Sequence, residues 1–178
     1  NPRMISGHYQ GRILSLISKI ISPKKILEIG TYTGYSAICL CEGMDKDGVL
    51  HTIDNNKELV EIQNKYFKKA NLKDKIVQHS GDAKNIIPSI DEEFDIVFID
   101  ADKESYPEYY DLIINKVRSG GIIIADNILW SGKILEKVKK DDQATKSIIE
   151  FNNKIIKDDR VKNIILPIRD GLNIVRKN

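Results

Sequence analysis

Three stretches of the chain, ILEIG (26–30), FDIVFID (94–100) and GIIIAD (121–126), are short and almost unbroken apolar runs, and segments of helical periodicity lie between them. This alternation limits the possible folds more than any other feature. A strand that is apolar at successive positions has both faces buried, so it belongs inside a sheet. VLHTID (49–54) adds a strand, and the more polar KIVQH (75–79) one nearer an edge. Ile13, Leu14, Leu16, Ile17, Ile20 and Ile21 recur at helical spacing, and Pro23 ends that helix. Helices are also expected around SAICLCEG, through Leu59, Ile62, Tyr66, Phe67 and Ala70, and through Tyr109, Leu112, Ile113 and Val117, closed by Ser119-Gly120-Gly121. After a long loop through Trp130 and Gly132, Ile148, Ile149, Phe151 and Ile155 mark the last helix. Strands alternating with helices imply a parallel sheet covered on both faces. The end breaks the rhythm: VKNIILPIRDGLNIVRK holds two strands around Asp170-Gly171, a hairpin signal, so the last two strands are antiparallel. The expectation is one α/β domain over residues 1–178, since this length gives one sizeable core and little room for two.

Several functional classes are disfavoured. A net charge of +2 is too small to imply a nucleic-acid or membrane partner. No apolar run approaches the roughly 18–20 residues of a membrane span. The first residues, NPRMISGHYQGR, are polar and carry no signal-peptide pattern, and the chain opens without an initiator Met. Cys39 and Cys41, two apart in a helix, point to different faces and make neither a disulfide nor a zinc site. The expected location is cytoplasmic.

Open α/β sheets bind ligands outside the carboxyl ends of their strands. Here those ends carry Glu28 and Gly30, then Asp54, Asp100, and Asp126 with Asn127. Gly30-Thr31-Tyr32-Thr33-Gly34 has glycines four apart, not the G-x-G-x-x-G of a dinucleotide fold. Such a loop lets backbone approach a ligand, and it is equally what a tight strand–helix turn requires. Asp54 is placed to accept hydrogen bonds from a ribose diol. A pyrophosphate would prefer fewer acids nearby, so Glu28 and Asp54 together favour a cationic adenosine ligand, S-adenosylmethionine, over NAD.

LEIGTYTGYSA, Asp54, GDAKNIIP (81–88), VFIDADKESY (97–106) and IIADNILWSG (123–132) resemble the cation-dependent class I O-methyltransferases, the family of the catechol and caffeoyl-CoA enzymes and their bacterial relatives. MISGHYQGRIL (4–14) resembles that family's entry segment. The resemblance runs from about Met4 to the final hairpin. It implies a Rossmann-like, seven-stranded sheet whose last strand is antiparallel, in agreement with the hairpin reading.

The expected arrangement lays S-adenosylmethionine across Gly30–Gly34 with its ribose on Asp54. Gly81, Asp82 and Ala83 flank the adenine, with Asp82 toward its amino group. Ser36, Tyr32 and Glu28 line the methionine side, capped by Met4. Asp100, Asp126 and Asn127 are hard oxygen donors that suit Mg²⁺ or a similar divalent ion, although Asp-Asn after a strand also serves as a plain cap or turn. A lysine three residues after the acid is by default solvated. The resemblance gives Lys103 the role of general base and Asp100 a place in the catalytic set and beside the cofactor.

The acceptor is less defined. Trp130 can form an aromatic wall or simply pack. The catechol enzymes carry a tryptophan just before the base lysine where this chain has Asp102, and their late acidic residue has no counterpart here, so catechol itself does not carry over. The expected acceptor is a catechol-like small molecule with vicinal hydroxyls. The alternative, implied by the resemblance to bacterial relatives, is a tRNA hydroxyuridine; Lys133, Lys137, Lys139 and Lys140 form a basic run, but Asp141 and Asp142 follow it, as on a solvated face. An NAD(P)-dependent oxidoreductase lacks its glycine fingerprint, and a non-catalytic module has no need of a base. The resemblance implies a homodimer, with the first helix as a contact.

Overall fold

Residues 6–178 are described in a computed structural model, and the apolar runs occupy the middle of its sheet. The strands are Lys25–Ile29 (β1), Val49–Asp54 (β2), Ile76–Ser80 (β3), Phe94–Ile99 (β4), Val117–Asp126 (β5), Val161–Leu166 (β6) and Leu172–Lys177 (β7), in the order β3-β2-β1-β4-β5-β7-β6. β1 through β5 pair in parallel, and β7 runs antiparallel to both β5 and β6. The polar β3 is an edge strand, as its composition required.

The period of two along β4 divides the core. Ile96 and Phe98 face a cluster with Leu14, Ala37, Leu40 and Phe67, from helices Gly7–Ile21 (α1), Tyr35–Cys41 (α2) and Val60–Lys69 (α3). Val97 and Ile99 face Ala83, Ile113, Ile148 and Phe151, from Ala83–Ile86 (α4), Tyr106–Ile114 (α5) and Gln143–Lys157 (α6). Each fully buried Leu, Ile, Val or Phe among them stabilises the fold by about 1.5–3 kcal/mol.

Two expectations are corrected. Val117 does not close a helix: α5 stops at Ile114, and Val117 opens β5 opposite Phe94. The register then jumps to Ile96 opposite Ile122, so Ser119-Gly120-Gly121 forms an irregularity inside the strand. Arg118 Nε binds Asp95 Oδ1 at 2.6 Å there, and a Cβ on Gly121 would lie 2.6 Å from Val117 Cγ1. The first helix also packs by an unexpected face. Gln10, Gly11, Leu14, Ser15 and Ser18 are buried, while Leu16 is 58% and Ile20 75% exposed. Small and polar residues bring α1 close to α2: Ser18 Oγ donates to Leu40 O at 2.5 Å and Ser15 Oγ to Glu42 Oε2 at 2.8 Å. Both cysteines are buried and unpaired. Among the described residues, no helix is long and apolar enough to cross a membrane.

Candidate active site

The strand order reverses between β1 and β4, and a cleft of about 980 Å³ opens at the carboxyl ends there. Gly30 bends the chain away from β1 at φ 98°, with Asp100 O only 2.0 Å from where its Cβ would stand, so no other residue fits. Gly34 (φ 82°) closes the turn by donating to Thr31 O at 2.8 Å, and the Phe67 ring fills its Cβ position. The loop is therefore a tight turn and an open approach at once. Asp54 braces it. Its Oδ2 accepts from Tyr32 N at 2.7 Å and its Oδ1 from Asn56 N at 2.8 Å. Each carboxylate oxygen keeps a further acceptor position, and Asp54 lines the cleft. Gly81, Asp82 and Ala83 line it as well, and Asp82 Oδ1 caps α4 through Lys84 N at 2.9 Å. Tyr32 and Ser36 are also on the wall.

Glu28 lies fully buried behind the cleft wall, where Thr52 Oγ1 donates to its Oε2 at 2.6 Å. Thr31 Oγ1 meets Thr52 Oγ1 at 2.5 Å, which continues this network to the loop. Burial pushes the Glu28 carboxyl up to about 8 against the nearby hydroxyls of Ser36 and Thr52, with the Asp100 and Asp54 charges adding to the rise. Its Oε1 has no hydrogen-bond partner among the described residues. Met4 lies outside the described residues.

The tips of β4 and β5 bring together Asp100, Lys103, Asp126 and Asn127, all on the cleft. Lys103 sits on a one-turn 3₁₀ helix, Lys103–Ser105, that leads into α5. Its Nζ donates to Asp100 Oδ1 at 3.1 Å and to Tyr106 Oη at 2.6 Å, and its side chain is only 9% exposed. Lys103 is therefore not a solvated lysine. Asp126 Oδ2 accepts from Gln10 Nε2 at 2.7 Å, and Oδ1 accepts from Asn127 N at 2.7 Å. Burial, then the charge of Asp100, pushes the Asp126 carboxyl up to about 6, while Gln10 and Lys103 oppose the rise. Burial and the same two acids hold the Tyr106 phenol well above its usual range, so it stays neutral. Asp102 has a structural task. Its Oδ2 caps the 3₁₀ turn through Ser105 N at 3.2 Å, and its Oδ1 accepts from Tyr109 Oη at 2.5 Å.

Trp130 is both wall and packing: it lines the cleft and rests on the core beside Leu129 and Ile134. Its loop is held by the hairpin between β6 and β7, where Asp170 O accepts from Leu129 N at 2.9 Å and Asp170 Oδ1 from Ser131 N at 2.6 Å. Gln10, Tyr106 and Arg169 escaped the sequence reading. Arg169 lines the cleft and binds the carbonyl of Ser6. For Gln10 a signal existed, a polar residue one turn before Leu14 on the face that packs.

A model of the family described as O-methyltransferase matches residues 1–178. Caffeoyl-CoA O-methyltransferase 1 of Zea mays is 34% identical over 188 residues, which cover 98% of this chain and 72% of that protein. The O-methyltransferase TomG from Streptomyces achromogenes, solved with SAM, superposes with a TM-score of 0.94 at 26% identity, over 99% of this chain and 83% of TomG. An O-methyltransferase from Bacillus cereus solved with SAH gives 0.91 at 29% identity, over 97% of this chain and 82% of that one.

Proposed function

The chain belongs to the O-methyltransferase family as an S-adenosylmethionine-dependent enzyme, and from that premise we propose that it methylates one hydroxyl of a catechol-like small molecule with vicinal hydroxyls. The observation that carries this reading is the meeting of Asp100, Lys103, Asp126 and Asn127 on one cleft with the Gly30–Gly34 loop and Asp54. The loop receives the cofactor, Asp54 accepts from the ribose hydroxyls, and Gly81, Asp82 and Ala83 border the adenine. Ser36 and Tyr32 border the methionine side, with Glu28 supporting them from behind.

Among the described residues, no group of three His, Cys, Asp or Glu side chains is arranged to hold a metal. The candidate set has two carboxylates and completes itself with the amide oxygen of Asn127. It fits a hard cation: burial and the charge of Asp100 already press on Asp126, and a divalent ion relieves that repulsion. Asp100, Asp126 and Asn127 would hold Mg²⁺ or a similar ion, which would supply positive charge that lowers the pKa of an acceptor hydroxyl. Lys103 takes the proton of that hydroxyl. The oxygen then attacks the methyl carbon in line, the carbon–sulfur bond breaks, and S-adenosylhomocysteine and a methyl ether leave. Fixed near-attack geometry between donor and acceptor supplies much of the acceleration.

Transfer of a labelled methyl group to a panel containing caffeoyl-CoA and free catechols, with and without EDTA, tests the reading. Chelator is expected to abolish transfer, and undiminished transfer removes the ion from the mechanism. Lys103→Ala is expected to lose about 10²–10⁴-fold in kcat, and Asp126→Ala to lose metal binding while keeping the cofactor. Within the basic run, Lys133 is already engaged: its Nζ lies 3.8 Å from Asp142 Oδ2 and 5.8 Å from the centre of the Trp130 ring. The exposed Tyr9, Leu16 and Ile20 along α1 support the homodimer, which sedimentation equilibrium tests.

A further inference from the structure

Resting on the reading of Lys103 as the base, we propose that Tyr106 is a positioning residue that fixes the Lys103 amine at the cleft, between the tips of β4 and β5. A phenol has one proton and two lone pairs. The Tyr106 hydroxyl has two backbone carbonyls in reach for that proton, Asp126 O at 2.9 Å and Ile99 O at 3.2 Å. With the proton given to either, the oxygen has only lone pairs to offer Lys103 Nζ, which donates to it from 2.6 Å. Asp100 Oδ1, the other partner of Nζ at 3.1 Å, also accepts.

This matters because a base must be held where the acceptor hydroxyl arrives, and a lysine amine sits on a flexible four-carbon stem. Two acceptors from different elements fix it here: Asp100 Oδ1 just past the tip of β4 and Tyr106 Oη from the first turn of α5. Together they hold Nζ beside the cleft that Lys103 lines.

The support behind the hydroxyl is rigid. Tyr106 is fully buried, and its ring meets Phe151 edge-on with centroids 5.3 Å apart. The Nζ lies 4.7 Å from the Tyr106 ring centre, so amine and phenol are held as one unit. Through Asp126 O the same hydroxyl ties the base to the tip of β5, which carries the proposed metal ligands. A tyrosine that served packing alone would need its carbonyl partner but not the lysine.

Tyr106→Phe keeps the ring and removes the acceptor. The first measurement needs no methyl acceptor: NMR relaxation of ¹³Cε-labelled lysines in the SAH-bound protein, with Lys103 assigned as the signal missing from Lys103→Ala. The Lys103 order parameter is expected to fall to the flexible range, below about 0.6. Unchanged order overturns the proposal. The second is a double-mutant cycle with caffeoyl-CoA as acceptor. Tyr106→Phe is expected to lower kcat by roughly 10–100-fold with KM and SAH affinity unchanged, and to add less than about twofold in the Lys103→Ala background. Equal losses in both backgrounds mean that Tyr106 acts through the fold alone, which also overturns the proposal. Full turnover by Lys103→Ala instead removes the base assignment and leaves the relaxation result standing, so the two failures are distinguishable.

Discussion

At the scale of single residues, Glu28 shows how burial gives a carboxylate a task that its place in the sequence does not suggest. It stands two residues before the Gly30 turn and would be counted among the residues that touch the cofactor, yet it lies behind the wall, bonded to Thr52. Its folded pKa of about 8 lies above the ordinary carboxyl value because burial disfavours the charge. The folded state therefore binds a proton that the unfolded chain has already released between pH 4.5 and 8. The contribution is fully present below the unfolded value and is lost as pH rises through the folded one. The wild type is thus expected to lose stability across that window by an amount on the order of a few kcal/mol relative to Glu28→Gln. The glutamine variant keeps an oxygen for Thr52 and has no proton to lose. Urea unfolding of both proteins at half-unit intervals from pH 5 to 8.5 checks this, and parallel profiles would show that Glu28 does not titrate in that range.

At the scale of elements, the short turn between β4 and α5 decides whether the rim can work. Asp102, which precedes the proposed base, caps this turn and anchors Tyr109. Burial opposes its charge, yet the bonds from Ser105 and Tyr109 outweigh this and hold its carboxyl below the usual range. Asp102→Ala is expected to cost about 1–2 kcal/mol in the urea midpoint, the ordinary loss for a cap. It is also expected to lower kcat while leaving SAH affinity intact, because the turn carries Lys103 but not the cofactor loop. Equal kcat in the variant would detach the turn from the chemistry. The strands that feed this rim were legible because buried parallel strands are apolar at nearly every position, and their acidic tips were legible for the same reason: nothing else in those runs is charged except Glu28 and Asp95. The packed face of α1 was not. Helical periodicity marks where apolar residues lie, whereas close approach to α2 selected Gly11, Ser15 and Ser18. Nor was the start of β5, since Val117 and Ser119-Gly120-Gly121 read equally as a helix end. Gln10 lies 116 positions from Asp126, and Tyr106 meets Lys103 only through the 3₁₀ geometry of the turn. Local pattern carries neither contact.

At the scale of the whole molecule, the order β3-β2-β1-β4-β5-β7-β6 turns separate strand tips into one cleft. β1 meets β2 on one side and the central strand β4 on the other, so the Gly30 loop faces Asp54 and Asp100 at once. A ligand spanning that cleft touches the ends of four strands, and its binding energy must appear as stability of the entire sheet. For a ligand that binds only the folded state, a concentration one hundred times Kd stabilises by about 2.7 kcal/mol. For a domain of this length each kcal/mol raises Tm by about 2–4 °C. S-adenosylhomocysteine at that concentration is therefore expected to raise Tm by roughly 5–10 °C. NAD at equal concentration is expected to leave Tm unmoved, because the acids at the strand tips repel a pyrophosphate that has no G-x-G-x-x-G loop to receive it. Asp54→Ala separates the loop from the rim. It removes the acceptor proposed for the ribose hydroxyls and the brace on Tyr32 N, so the shift with S-adenosylhomocysteine should shrink, while Asp100, Asp126 and Asn127 stay in place. A variant that keeps the full shift would place the nucleoside elsewhere in the cleft, and a shift with NAD as large as that with S-adenosylhomocysteine would mean that the cleft does not discriminate by charge.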